Sequence, residues 1–243
     1  MAKRQARFDL QDLESDPRLS DESPNLWDDR LGVVPRGLLT SAVRCFASNG
    51  YHATTTRDIS TGVRLSSSAL YVHFPSKELV LFEIVRVSHE RALECVQGPE
   101  IGATLGAAER LRTLISRYTA WHARHHVAAR VAQYELGGLT AEHYEEIRHL
   151  RHRTNDIFRA AVARGVEDGA FPPVDVNRVV RAMLSLSIDL IRWYRLDGAD
   201  SPEQLGDFYA DLALRMVSSP ESSQGAERGG TAPQPSPAIQ ATR

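Results

Sequence analysis

The chain has 243 residues, 42% hydrophobic and 25% charged, with a formal net charge of −2. This is ordinary globular composition, and its near-neutral charge excludes a protein that is basic throughout; any nucleic-acid-binding surface must be local. Two cysteines, Cys45 and Cys95, exclude a disulfide scaffold, and no run approaches the ~18 apolar residues of a membrane span. The amino terminus lacks an apolar stretch of the secretory kind, so the expectation is a soluble, cytoplasmic protein without a membrane partner. Basic residues are nearly all arginine, lysine occurring only at Lys3 and Lys77, and arginine is the better bidentate partner for phosphates and base edges.

Residues 1–30 carry five basic against eight acidic side chains and few apolar ones, which predicts a flexible arm. Its basic tip at Lys3, Arg4 and Arg7 is either a solvated tail or a contact to a DNA groove. A first helix begins near Pro35, and Leu39, Ala42, Val43 and Phe46 recur at helical spacing along one face. Asn49-Gly50 closes it. Thr55 stands three residues before Asp58, the spacing of a capping box, and Ile59 and Val63 form the apolar side of the short helix it starts. A break follows at Arg64-Leu65. Ser66 is placed to cap a second short helix, Ser67 to His73, with Leu70 and Phe74 inward. Ser76 caps a long helix to about Val96, stopped by Gly98-Pro99.

Further helices are predicted at roughly 104–122, 125–137 and 140–168, a very apolar one at about 175–194, and a last one at about 201–217. Residues 219–243, rich in Ser, Gly, Pro and Gln, predict a disordered tail. The fold class is therefore all-α, with about nine helices and no strands. Its expected units are the arm 1–30, a DNA-binding unit 31–81, a ligand-binding and dimerisation unit 82–218, and the tail 219–243.

Two short helices joined by a tight turn fit a helix-turn-helix, in which the second helix enters the major groove. Close approach requires short polar side chains at the helix start, which Ser66, Ser67 and Ser68 supply. Thr54, Thr55 and Thr56 offer hydroxyls and free backbone N–H groups to phosphate at the preceding helix start. Periodicity by itself does not separate this from any helical hairpin.

The order of residues between Phe46 and Val80 does. Phe46, Gly50-Tyr51, Thr54-Thr55, Arg57-Asp58-Ile59, Ala69-Leu70-Tyr71, His73-Phe74 and Ser76-Lys77-Glu78 together resemble the DNA-binding domain of TetR-type regulators, closely over residues 31–85 and by helix count beyond. The resemblance implies that Thr54 and Thr55 contact phosphates, that Ser66, Ser67 and Ser68 open the recognition helix, that Tyr71 and His73 lie on backbone phosphates, and that Lys77 binds phosphate. It also implies a repressor acting as a homodimer on palindromic double-stranded operator DNA. One position departs: Arg64 stands where the family often has glycine. Either the turn differs in geometry, or an arginine is held there to reach DNA.

In the second half, the stretch from Val131 to Phe171 and the RWYR…SPE stretch from Arg192 to Glu203 are similar to TetR-type repressors of fatty-acid and sterol catabolism, implying a small-molecule effector of the acyl-CoA thioester class. An acyl chain calls for an apolar tunnel and a CoA phosphate calls for arginine. Candidate pocket residues are Trp121, Tyr134, Phe158, Met183 and Trp193; ordinary core packing is the competing account of each. The apolar residues of 176–191 nearly circle their helix, which suggests a dimer face built from helices 175–194 and 201–217, or a fully buried central helix. His122, His125 and His126, with His149 and His152, carry the rival reading of a metal sensor or zinc-dependent helical protein; a helical binding module without DNA is another. No HExxH, GxSxG or phosphate loop appears, so neither a catalytic residue nor a cofactor is expected.

Overall fold

The computed structural model describes residues 19–98, 101 and 105–218. The outer part of the expected arm and the expected tail lie outside the described residues. Among the described residues the chain forms nine α-helices and no strand: α1 Val33–Asn49, α2 Thr56–Gly62, α3 Ser67–His73, α4 Lys77–Glu94, α5 Ala107–Arg124, α6 His126–Tyr134, α7 Ala141–Glu167, α8 Val176–Asp189 and α9 Pro202–Met216. No helix is long and apolar enough to cross a membrane among them.

Local chemistry sets most helix ends. The Thr55 and Asp58 side chains make the reciprocal capping box at α2, and Ser201 and Gln204 make another at α9. Ser76 accepts from the Leu79 N–H at 3.0 Å, Thr140 caps α7 and Asp175 caps α8. Gly50, at φ 79°, ends α1 by donating its N–H to the Phe46 carbonyl in a conformation that favours glycine. Ser66 differs from expectation. It holds the cap position of α3 without a capping bond, its Oγ lying 2.7 Å from Ser68 Oγ instead. The helix expected at 125–137 ends at Tyr134 because Leu136–Gly138 tighten into a 3₁₀ turn, and the one expected to reach 194 gives way to a 3₁₀ turn at Leu190–Arg192.

Helices α1 to α3 pack on one another through Leu38, Leu39, Phe46, Ile59 and Leu70, all buried. Helix α4 joins them to the second bundle, packing on α6 and α7, while α5 lies along α9. Cys45 and Cys95 are free thiols that burial pushes up to about 12.

The segment expected to be a flexible arm needs correction over its described part. Residues 19–31 form a strap across both bundles. Leu19, Leu26 and Trp27 are buried, and Trp27 Nε1 donates to Thr40 Oγ1 at 2.8 Å. Asp21 Oδ2 accepts the backbone N–H of Val127 at 2.9 Å and of Ala128 at 3.4 Å, satisfying the start of α6, where a carboxylate also meets the positive end of the helix dipole. Acidic composition here marks a cap.

Candidate nucleic-acid interface and effector cavity

The helix-turn-helix is closed by backbone bonds from Val63 and Leu65 to the Ser60 carbonyl, at 3.2 and 2.9 Å, and from Arg64 to Thr61 at 3.0 Å. Arg64 is left-handed at φ 56°, the one such non-glycine residue among those described. The turn thus keeps the geometry that glycine usually serves, at a cost on the order of 1 kcal/mol for a side chain there. Arg64 itself is exposed.

Of the residues singled out for DNA, Arg64, Ser66, Ser68, Tyr71 and His73 are exposed and Ser67 is half-buried. Thr56 Oγ1 lies 3.4 Å from the Tyr71 hydroxyl, joining the start of α2 to α3. Thr55 is exposed, but its hydroxyl is engaged in the capping box.

Two positions require correction. Thr54 is 1% exposed, and its hydroxyl lies within bonding distance of the carbonyls of Cys45, at 3.1 Å, and Gly50, at 2.9 Å. It is a fastener inside the fold, with no side chain left for a phosphate. Lys77 is half-buried, its ammonium donating to the carbonyls of Tyr51 at 2.9 Å and Thr54 at 2.8 Å while lying 4.3 Å from the Tyr51 ring centroid. Desolvation holds its pKa below the usual lysine value. Lys77 clamps the loop before α2 onto the start of α4.

Sequence reasoning passed over Val72. It is 79% exposed on α3, an unusual place for a valine unless something apolar meets it. The signal was available: two residues from buried Leu70 on a helix is the opposite face.

The DNA-binding bundle is tied to the second bundle at a few points. Glu135 accepts the Tyr51 backbone N–H at 3.1 Å. Glu78 accepts the Thr140 N–H at 3.1 Å and lies 2.7 Å from His143 Nδ1, while the His143 ring stacks on Phe82 at 3.8 Å. Gly138 lets these surfaces meet: a Cβ there would stand 2.6 Å from the Tyr51 ring and 2.7 Å from Leu81.

The second bundle holds an inner chamber of about 80 Å³ and an outer cleft of about 520 Å³, which share Gln133, Arg151, Asn155 and Ile188 on their walls. The cleft carries Arg151, Arg159 and Arg181. The chamber lies between α4, α5, α6 and α7, with Ile188 of α8 also on its wall, and presents Ser88, His89, Tyr118, His122, Arg151 and Thr154, beside Trp121 and alanines. Burial pushes both His89 and His122 down to about 4, so both are neutral at pH 7.

Among the expected pocket residues, Trp121 lines the chamber and Tyr134 the cleft. Phe158, Met183 and Trp193 line neither and are corrected. Phe158 is fully buried behind Tyr118, with ring centroids 5.3 Å apart; Met183 is core; Trp193 is 54% exposed. Nor is the chamber an apolar tunnel. The residues that define it were not distinguished, because they come a few at a time from five helices far apart in the chain.

The histidine cluster does not assemble. His125 breaks the chain between α5 and α6, at φ −112° and ψ 32°, so His122 and His126 do not share a helix face. Among the described residues no group of three or more His, Cys, Asp or Glu is placed to hold a metal.

These features coincide with the comparisons. Residues 38–84 match the family model of bacterial regulatory proteins of the tetR family, and residues 104–217 that of the tetracyclin repressor-like C-terminal domain. The HTH-type transcriptional repressor KstR2 of Rhodococcus jostii is 31% identical over 208 residues, 82% of this chain and 100% of the relative. A bacterial regulatory protein in the tetR family from Rhodococcus RHA1 superposes with a TM-score of 0.73 at 32% identity, over 79% of this chain and 100% of that one. The ketosteroid transcriptional regulator KstR2 of Mycobacterium tuberculosis gives a TM-score of 0.72 at 27% identity, over 78% and 97%. With its helix-turn-helix closed on Arg64 and its second helical bundle enclosing a cavity, the chain belongs to the TetR family of DNA-binding transcriptional regulators.

Proposed function

We propose that this chain is a cytoplasmic, homodimeric repressor, without catalytic activity, that binds a palindromic operator and is released by an acyl-CoA thioester. Its DNA-binding unit spans 31–81 and its effector and dimerisation unit 82–218. The observation that carries the reading is the exposed edge of α3 and its turn, where Arg64, Ser66, Ser68, Tyr71 and His73 project beside half-buried Ser67. Short hydroxyl side chains let the helix approach base edges, while Tyr71, with Thr56 at the α2 start, meets phosphates. Val72 fits the methyl of a thymine.

A second copy is called for on two grounds. Palindromic half-sites about one helical turn, ~34–36 Å, apart require two-fold symmetry. Leu186 on α8, Trp193 after it and Phe208 on α9, 58% exposed, are large apolar side chains for a partner to cover.

The effector reading rests on the cleft. Three arginines at the mouth of a chamber suit the phosphates of a CoA thioester, with the acyl group reaching inward. The likeness to a ketosteroid regulator favours a sterol-derived acyl group. An effector that binds the DNA-free arrangement about 100-fold better shifts the equilibrium by ~2.7 kcal/mol.

The test is fluorescence anisotropy on the DNA upstream of the chain's own gene, over a salt series, with unrelated duplex as competitor. Specific binding at two chains per site or a multiple, weakening steeply with salt, is expected. A duplex from that region bound no better than the competitor, together with no site recovered from a genome-wide binding selection, would sink the reading.

A further inference from the structure

The inner chamber has a hydrogen-bonding sense. Four of its side chains spend their proton on the carbonyl one turn back in their own helix. Ser88 Oγ donates to Ile84 at 2.7 Å and Thr154 Oγ1 to Leu150 at 3.1 Å. His89 Nδ1 lies 2.9 Å from the Val85 carbonyl and His122 Nδ1 2.8 Å from that of Tyr118. A carbonyl can only accept, so each Nδ1 carries the ring's proton. The opposite ring edge, with the bare Nε2 lone pair, then points away from its helix, and both rings lie on the chamber wall. Ser88, His89 and His122 on the α4 and α5 side, and Thr154 on α7, therefore present acceptors whose donors are already committed.

The donors stand at the throat. Arg151 and Asn155 on α7 stand where chamber and cleft join, and their N–H groups donate. Arg151 has no salt bridge among the described residues. Tyr118, kept as a phenol by burial, adds one hydroxyl that can act either way.

From this polarity we propose that the chamber is a receptor for a hydroxylated acyl group: the alcohol O–H is donated to Nε2 of His89 or His122, and the acyl carbonyl is received by Arg151 and Asn155 at the throat. A saturated chain would leave these acceptors buried and unpaired, and a ketone in place of the alcohol would set lone pair against lone pair. Both imidazoles are neutral at pH 7, which keeps them acceptors. The inference rests on the cavity being the effector site and specifies what that site selects.

The experiment compares molecules of one shape and opposite hydrogen-bonding sense on the full chain. Calorimetry with 3-hydroxybutyryl-CoA and acetoacetyl-CoA is expected to favour the alcohol at least about tenfold, and His122→Phe and His89→Phe to erode that preference. Cyclopentanol and cyclopentanone probe the chamber without CoA, read on the imidazole ¹⁵N signals of His89 and His122; only the alcohol is expected to shift them. A thioester pair that binds without discrimination, or with the ketone favoured, overturns the proposal. If neither thioester binds, the CoA reading falls and the small pair decides: a response to the alcohol alone upholds the chamber's selectivity, and equal or absent responses overturn it.

Discussion

The two bundles use the same residue chemistry in opposite ways. At the DNA-binding end, the hydroxyls of Ser66, Ser68 and Tyr71 face outward on a seven-residue helix, backed by a core that holds the helix still. In the second bundle, the hydroxyls of Ser88 and Thr154 and the imidazoles of His89 and His122 lie on the chamber wall, their donors tied to their own helices. The first arrangement presents groups free to find partners on a polymer; the second presets one kind of partner for a small molecule. The comparison teaches that a polar residue on a helix reports its role through where its proton goes, which sequence does not display.

The largest expected effect falls inside the DNA-binding bundle. Lys77→Met removes two charge-assisted hydrogen bonds and strands the carbonyls of Tyr51 and Thr54. A loss of about 2–3 kcal/mol is expected in denaturant unfolding, with little change in the salt slope of whatever DNA binding remains, since Lys77 is a clamp. A slope reduced by one contact at unchanged stability would restore Lys77 to the DNA surface.

Gly138→Ala comes next, because its Cβ would stand 2.6 Å from the Tyr51 ring. About 1–3 kcal/mol of destabilisation is expected in the same measurement; a neutral result would mean the bundles are not tightly docked there.

The buried imidazoles sharpen the comparison through pH. His89 and His122 titrate near 4 when folded, against an ordinary value of 6.5. The unfolded chain therefore binds more protons between these values, and stability falls as pH drops from about 6.5 toward 4. A melting midpoint lowered between pH 7 and pH 5, with the fall reduced in His122→Phe, is expected from scanning calorimetry.

Arg64→Gly relieves the left-handed strain and is expected to stabilise by at most about 1 kcal/mol. The same change should weaken DNA binding and lower the salt slope by about one. Unchanged DNA affinity would make Arg64 merely tolerated at the turn. Tyr71→Ala is expected to weaken binding to all sequences, whereas changes at Ser67 shift sequence preference. Equal, sequence-independent losses at both would contradict this docking of α3.

What was legible in the sequence was local. The capping box at Thr55 and Asp58, the Ser76 cap and the Asn49-Gly50 stop lie within one turn of the helix ends they set, and the order of residues from Phe46 to Val80 carried the family. What escaped depended on distant partners. Thr54 reads as an exposed hydroxyl until the fold places it against Cys45 and Gly50. The strap at 19–31 reads as acidic and mobile until Asp21 meets the start of α6, more than a hundred residues away. The chamber was the least legible, since a wall assembled from a few residues of each of five helices leaves no motif, and the expected aromatics were as well suited to core, where Phe158 went.

The most direct test of the whole account is one titration of the operator-bound chain with 3-hydroxybutyryl-CoA, following DNA anisotropy and intrinsic tryptophan fluorescence together, the latter calibrated on Trp121→Phe. Trp121 lines the chamber, so its signal reports occupancy and the anisotropy reports release. The account predicts that both change over the same concentration range, and that unrelated duplex is not retained in place of the operator. A tryptophan response that saturates while the operator stays bound would contradict it, because the cavity would then be filled without any consequence for DNA.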